Sequence, residues 1–370
     1  MDCGDQKRGV HGKKSEDENQ PSRLCPAGRR RYCCHNRLGH VYYLEGRYDD
    51  AVESFSIAAG LDEIDSDSRY MLGLLKSAQS PEKALEPLIR AAQLDPKLDP
   101  VVQVLRSGLN AALLTSDRAA QLTGAGRTLV SVGAWTLAKR AFENAISADP
   151  RYASAWAWLG QAKQVLQEGG LPELDHALSL DPNAAEIRGL RAVYFMREDR
   201  YAEARSEFEE AAGLDPRNPG WQVALGDAVA RTGDVPQALE HYQRAIELSP
   251  RSSEYWRALA NFTVDYNYGV QETGLPAALQ ARALGEDPQN EVTLGRIYFA
   301  LGDFKTAEKI WIDLLESNPE IPSVHLYLGV LFLQQGNYDS AFEHLAQVVD
   351  LDPGGPFGAQ AASMMEQYFP

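Results

Sequence analysis

The sequence predicts an all-α fold, a right-handed α-solenoid of about nine helix-turn-helix motifs with a C-terminal capping helix. Three observations predict it. Prolines recur at intervals of 34 residues, from Pro182 to Pro216 to Pro250 and again from Pro319 to Pro353. Between them, apolar residues fall three or four apart, which puts one apolar face on each of two helices. A glycine such as Gly302 or Gly336 stands between the two helices, where a positive φ ends the first. A period of this size marks a repeat array, because a lone helix pair cannot bury its apolar face and must stack on the next.

Taken in order, residues 1–31 are polar and charged with few large apolar side chains, and are read as disordered. From Tyr32 to residue 355 the chain is read as the repeat stack. Repeat one carries Leu38, Gly39, Tyr42, Gly46, Tyr48, Ala51, Phe55 and Ala58. Repeat three carries Gly126, Gly133, Trp135, Ala138, Phe142, Ala145 and Pro150. Repeats five and six run Ala185–Asn218 and Pro219–Ser252; eight and nine run Pro288–Ile321 and Pro322–Gly355. Within repeat eight, Leu294, Gly295 and Tyr298 stand on the first helix, and Phe304, Ala307 and Trp311 on the second. The small residue at the crossing lets two backbones approach, and the proline follows the second helix where continuation is unwanted. Three stretches break the period. Residues 97–118 hold an extra helical pattern, 166–174 interrupt a second helix with "EGGLPE", and 264–276 lengthen repeat seven. In residues 356–370, Phe357, Ala361, Met364, Met365 and Tyr368 form one apolar stripe, read as a helix that caps repeat nine.

The bulk numbers narrow the function. With 370 residues and 44% hydrophobic residues, the chain can bury a large core. Net charge is −16; residues 1–40 carry about +4, so the rest carries about −20. An acidic body argues against nucleic acid or an anionic membrane as the main partner. All four cysteines, Cys3, Cys25, Cys33 and Cys34, lie in the first 34 residues, so no disulfide framework holds the body. There is no apolar run of membrane-spanning length and no secretory signal at the N-terminus, so a cytoplasmic protein is expected.

The repeat pattern resembles the tetratricopeptide repeat family over roughly residues 32–355. The resemblance implies that first helices of successive repeats line a concave groove, and that the protein is a non-catalytic scaffold or adaptor holding a peptide or protein. Carried onto this sequence, the groove-facing positions include Asp227 and Arg231 in repeat six, the stripe Arg257, Asn261 and Asp265 in repeat seven, and Arg296 in repeat eight. As surface side chains away from the packing positions, they are expected to be replaceable at a cost within about 0.5 kcal/mol. Some family members clamp a C-terminal carboxylate. Asn261 matches that clamp, but Asp227 and Arg296 stand where Asn and Lys are required, so that ligand is not expected.

No catalytic constellation is found, and no enzyme, cofactor or small-molecule substrate is inferred. "TGAGRT" at Thr123–Thr128 lacks the Lys-Ser/Thr of a phosphate loop, and Gly126 is read as a packing glycine. His176, His241, His325 and His344 are scattered singly, with His241 and His344 at the same repeat position. Cys25, Cys33, Cys34, His35 and His40 lack Cys-x-x-Cys spacing, so no metal site is expected. They support an alternative function, a metal- or redox-responsive regulator. Trp156 and Trp256 are read as packing residues, and Tyr266 and Tyr268 as candidates to line a binding surface.

Overall fold

A computed structural model of the chain describes residues 30–369, so the expectation for residues 1–31 falls almost wholly outside it. The described residues are α-helical throughout, with no strand among them. Two compact units divide the chain, one up to Tyr194 and one from Phe195.

The first unit opens with the pair α1 (Arg30–Leu44) and α2 (Tyr48–Leu61), then α3 (Ser66–Gln79) and α4 (Leu85–Leu94). Next comes α5 (Asp99–Ala112), followed by the pairs α6 (Arg118–Ser131) with α7 (Trp135–Ala148), and α8 (Ala153–Val165) with α9 (Leu171–Leu180). The stretch that breaks the period near residues 97–118 is therefore one extra helix. It packs on α6, while α6 and α7 pack back onto α3, so α5 is added beside the stack. Val102, Leu105 and Leu109 face inward, and a side-chain carbon on Gly108 would meet Thr128 Oγ1 at 2.3 Å. Gly126 sits mid-α6 against the Phe142 ring, which bears out its reading as a packing glycine. "EGG" does not interrupt a helix. It forms the turn before a shortened α9, which starts at Leu171 with Pro172 in its first turn.

α10 (Ala185–Arg197) runs across the boundary between the units and is followed by α11 (Tyr201–Leu214). The second unit continues with α12 (Pro219–Arg231) and α13 (Val235–Leu248), then α14 (Ser253–Asp265) and α15 (Leu275–Leu284). It closes with α16 (Pro288–Ala300) and α17 (Phe304–Ser317), α18 (Pro322–Gln335) and α19 (Tyr338–Leu351), and α20 (Pro356–Tyr368). Here the first helices α12, α14, α16 and α18 pack on one another in order, and α20 joins the end of that row. The extra residues of repeat seven form a loop and a π-helical turn, Val270–Gly274, that leads into α15. Pro288, the first residue of repeat eight, opens α16 behind the N-cap Asp287.

Most crossings are built on a glycine, with Ala192 and Ala260 taking its place in α10 and α14. A side-chain carbon on Gly295 would lie 2.1 Å from Trp311 Nε1, so only glycine lets α17 seat its tryptophan there. In every repeat except the α3–α4 pair, where Ser80 follows α3 at φ −145°, the turn residue adopts a positive φ; five are glycines, Gly46, Gly133, Gly233, Gly302 and Gly336, between 74° and 96°. Three non-glycine residues, Gln167, Asp199 and Asn267, hold the same position at 60°, 57° and 47°. The left-handed conformation costs an ordinary residue about 1–2 kcal/mol; glycine relieves that cost, but its larger entropy loss on folding cancels part of the gain. Gln167→Gly is therefore expected to stabilise the first unit by about 0.5–1 kcal/mol, read as a higher urea midpoint; a lower midpoint would contradict this account of the turn.

The closing prolines also have a partner. Trp156 and Trp256, each at the fourth position of a first helix, donate from Nε1 to the carbonyls of Pro150 and Pro250, both at 2.9 Å. His325 Nε2 makes the same bond to Pro319 at 2.9 Å. These bonds pin the loop carbonyl two residues past each second helix to the first helix of the next repeat. α20 is tied down similarly, with the Asp352 carboxylate accepting from the Phe357 and Gly358 N–H groups at 2.9 and 3.1 Å. Phe357, Met364 and Met365 pack on buried Leu326, Leu345 and Val348, whereas Tyr368 is exposed and lies off the expected stripe.

Candidate functional site

The six residues assigned to the groove lie on α12, α14 and α16, and most are tied into the protein. Arg257 donates from Nη1 to the Asp287 carboxylate and, at 3.2 Å, to Asn290 Oδ1. Asn290 is buried and in turn donates to the Ala281 and Gly285 carbonyls at 3.1 and 2.8 Å, closing the end of α15. Arg296 donates to Asn261 Oδ1 at 2.7 Å and to Asp265 Oδ1 at 2.6 Å. Both arginines are only 21% exposed as side chains. They join one repeat to the next, and the expectation that they can be replaced at little cost does not fit this geometry. Removing one partner of a partly buried charged hydrogen bond costs more than removing a solvated side chain. Arg257→Ala is expected to lower stability by about 1–2 kcal/mol in a denaturant titration. A change below about 0.5 kcal/mol would return Arg257 to the class of free surface residues.

Asp227 and Arg231 belong to a different arrangement. The Tyr242 hydroxyl donates to Asp227 Oδ1. Asp227 is open as a residue, yet its carboxyl lies against the protein. Burial raises its pKa, with the Tyr242 bond opposing, and burial followed by the Asp227 charge raises the Tyr242 hydroxyl. Asp227, Arg231, Tyr242, Phe262, Asp265 and Tyr266 border a cavity of about 500 Å³. Arg231 lies over the Tyr201 ring at 5.3 Å, and among the described residues no hydrogen bond or ion pair holds its guanidinium. Of the six residues, Arg231 is therefore the one available to a ligand without breaking an internal bond. Tyr266 lines this cavity beside an aromatic run, 5.3 Å from Phe262, which is 4.6 Å from Tyr242. Tyr268 is exposed beyond it.

A second cavity, of about 340 Å³, lies between α16, α18 and α20. Arg296 is its one charged lining residue, and Phe299, Trp311, Tyr327, Val330 and Met364 form most of the wall. No sequence signal pointed to it, since its walls come from five helices, α14, α16, α17, α18 and α20, whose lining residues run from Val264 to Met364.

The histidines are not all single. His241 Nδ1 bonds Gln222 Oε1 at 3.1 Å, and at the matching places in repeat nine His344 meets His325, Nδ1 to Nδ1 at 2.9 Å. The Pro319 carbonyl can only accept, so His325 donates from Nε2 and, when neutral, accepts from His344 at Nδ1. Burial, then the neighbouring His325 ring, pushes the His344 imidazole from 6.5 down to about 4. The folded chain thus refuses a proton that the unfolded chain accepts. Stability is full above pH 6.5 and falls as pH drops toward 4, by on the order of 2 kcal/mol after discounting for partial exposure. Urea titrations at pH 7 and pH 4.5 should show this loss, and His344→Asn should remove most of it; an equal slope in both proteins would contradict the pairing.

At the N-terminal cluster, Cys33, Cys34, His35 and His40 stand on α1, while Cys25 lies outside the described residues. His40 Nε2 bonds Asp67 at 2.9 Å, and Asn36 donates to the same carboxylate oxygen at 2.8 Å, joining α1 to α3.

Two family profiles described as tetratricopeptide repeat match residues 123–162, 168–219 and 292–356, and residues 195–262, together more than half the chain. The chain belongs to the tetratricopeptide repeat family. Among curated relatives it is 28% identical to the BBSome complex member BBS4 of Bos taurus over 179 residues, 48% of this chain and 34% of that protein. It is 23% identical to the human antiviral innate immune response effector IFIT1 over 333 residues, 86% of this chain and 66% of that protein. The chain thus spans about a third and just under two thirds of these relatives. Among solved structures, yeast Tom70 superposes with a TM-score of 0.52 at 15% identity, covering 91% of this chain and 88% of that one. The human IFIT1 dimer with m7Gppp-AAAA gives 0.54 at 18% identity, covering 91% and 80%. At these identities the structural likeness concerns the fold.

Proposed function

We propose that this protein is a non-catalytic scaffold or adaptor that holds a peptide or protein along the first helices of its second unit. The observation that carries the reading is the pair of cavities on either side of the Arg296 bridge to Asn261 and Asp265, with the Arg231 guanidinium open beside the first. Ligand sites are concave places where a few polar groups converge on apolar walls; the second cavity has that character, and the first adds a charged patch of Asp227, Arg231 and Asp265 beside it. The partner surface comprises Asp227, Arg231 and Tyr266 directly, with Arg257, Asn261, Asp265 and Arg296 holding the helices that carry it.

Net charge of −16 supports a protein partner over RNA, although IFIT1 is seen with capped RNA, because an acidic chain repels phosphate. No described helix is long and apolar enough to cross a membrane, and the absence of cysteine beyond Cys34 supports a reducing, cytoplasmic setting. The test is site-specific photo-crosslinking in cells. A benzophenone side chain at position 231 should capture a defined protein that the same group at Arg244, exposed on the second helix α13, does not. Equal capture from both positions would move the site off the first helices.

A further inference from the structure

We infer that the cavity between α16, α18 and α20 is an anchor site for a large apolar side chain of the partner followed by a carboxylate, Asp or Glu, and that α20 is a wall of that site. The inference rests on the scaffold reading and deepens it. Phe299, Trp311 and Tyr327 make an aromatic floor, with Trp311 and Tyr327 stacked at 5.4 Å. Val330 closes one side, and Phe357 and Met364 of α20 close another. At about 340 Å³ the cavity lies at the small end of the roughly 300–1,000 Å³ typical of ligand pockets, which suits a side chain better than a whole folded element. Anchor residues buried in such pockets dominate partner affinity.

The carboxylate follows from charge. Arg296 is the lining's one charged residue and lies over the Tyr327 ring at 5.7 Å. A guanidinium has five N–H donors, and the bonds to Asn261 and Asp265 use two. Asp265 holds Arg296 from outside the lining, and among the described residues no carboxylate lines the cavity itself, so the remaining donors are matched by an acidic group entering beside the apolar one. Gln360, at the exposed edge of α20, is the other polar group available to a peptide backbone.

The probe is 8-anilinonaphthalene-1-sulfonate, an aromatic body bearing one anionic group, titrated by fluorescence into the full chain. Saturable binding is expected. Val330→Trp and Gln360→Trp, each filling the cavity from a different helix, should each weaken it by about tenfold or more, and Arg296→Gln by about fivefold. Circular dichroism confirms that each variant is folded; because Gln360 is exposed, its variant keeps the test valid if the Val330 one is not. Acetylated and amidated hexapeptides with Leu-Asp or Phe-Asp at the centre should displace the dye, and Leu-Asn or Leu-Lys versions should do so at least fivefold less well. Wild-type dye binding in a folded cavity-filling variant overturns the anchor site and leaves the scaffold reading standing. Dye binding that no peptide displaces overturns the assignment to a partner side chain. Equal displacement by Asp and Asn peptides overturns the role given to Arg296. Failure of the scaffold reading would show separately, as equal photo-crosslinking from positions 231 and 244.

Discussion

Trp311→Ala is expected to cost the second unit about 3–5 kcal/mol, the range for truncating a fully buried large aromatic. Trp311 is 1% exposed. Its ring stacks on Tyr327, sits 6.1 Å from Phe299, and occupies the space that Gly295 leaves empty. Its Nε1 donates to the Val292 carbonyl at 3.3 Å. No neighbour can collapse into the hole cheaply, because the helix backbones on both sides are held by their own repeats. In a repeat protein such a loss is local first, since each pair leans only on its neighbours. The urea transition of the second unit should shift to lower concentration or separate from that of the first. A loss under about 1 kcal/mol would mean that the crossing of α16 and α17 is not as tightly packed as the Gly295 contact indicates.

Removing α20, by ending the chain after Gly355, is the second large effect. The helix covers Leu326, Leu345 and Val348, all nearly inaccessible, with Phe357, Ala361, Met364 and Met365. Each large apolar side chain in such a place contributes roughly 1.5–3 kcal/mol relative to exposure. Truncation should therefore expose an apolar face on α18 and α19 and bring aggregation, seen as loss of the monomer peak in size-exclusion chromatography with light scattering. A soluble monomer with an unchanged melting curve would show that α20 does not cap the stack. Truncation also removes the Phe357 and Met364 wall of the anchor cavity, so any soluble fraction should bind the naphthalene sulfonate dye weakly.

The repeat architecture was legible because its rules act within one period. Gly295 and Trp311 are sixteen residues apart, and the closing prolines are spaced by one repeat. What escaped were positions where a chemically different residue does the repeat's work. Gln167, Asp199 and Asn267 take the turn conformation reserved in other repeats for glycine, at an energetic cost that local sequence does not display. His325 stands where other repeats place tryptophan, so its bond to Pro319 and its meeting with His344 read as isolated histidines. The site was half legible. The positions of Asp227, Arg231, Arg257, Asn261, Asp265 and Arg296 on first helices followed from the register. Their partners did not, because the bonds connect residues 30 to 35 apart, such as Arg257 with Asp287 and Arg296 with Asn261. A search for opposite charges one repeat apart would have found Arg257 with Asp287 and Arg296 with Asp265.

A protein partner is expected on the first-helix face of the second unit. The most direct measurement is a calorimetric titration of the cross-linked partner, once recovered, against the wild-type chain and the double variant Asp227→Ala, Arg231→Ala. Among the described residues Arg231 has no internal hydrogen bond or ion pair to lose, while Asp227→Ala strips the buried Tyr242 hydroxyl of its acceptor at a cost of about 1–3 kcal/mol, so the double variant is compared below its own melting transition. Affinity should weaken by about tenfold or more, since charge-assisted contacts are each worth roughly 1.5–3 kcal/mol. Wild-type affinity in the folded double variant would contradict this expectation.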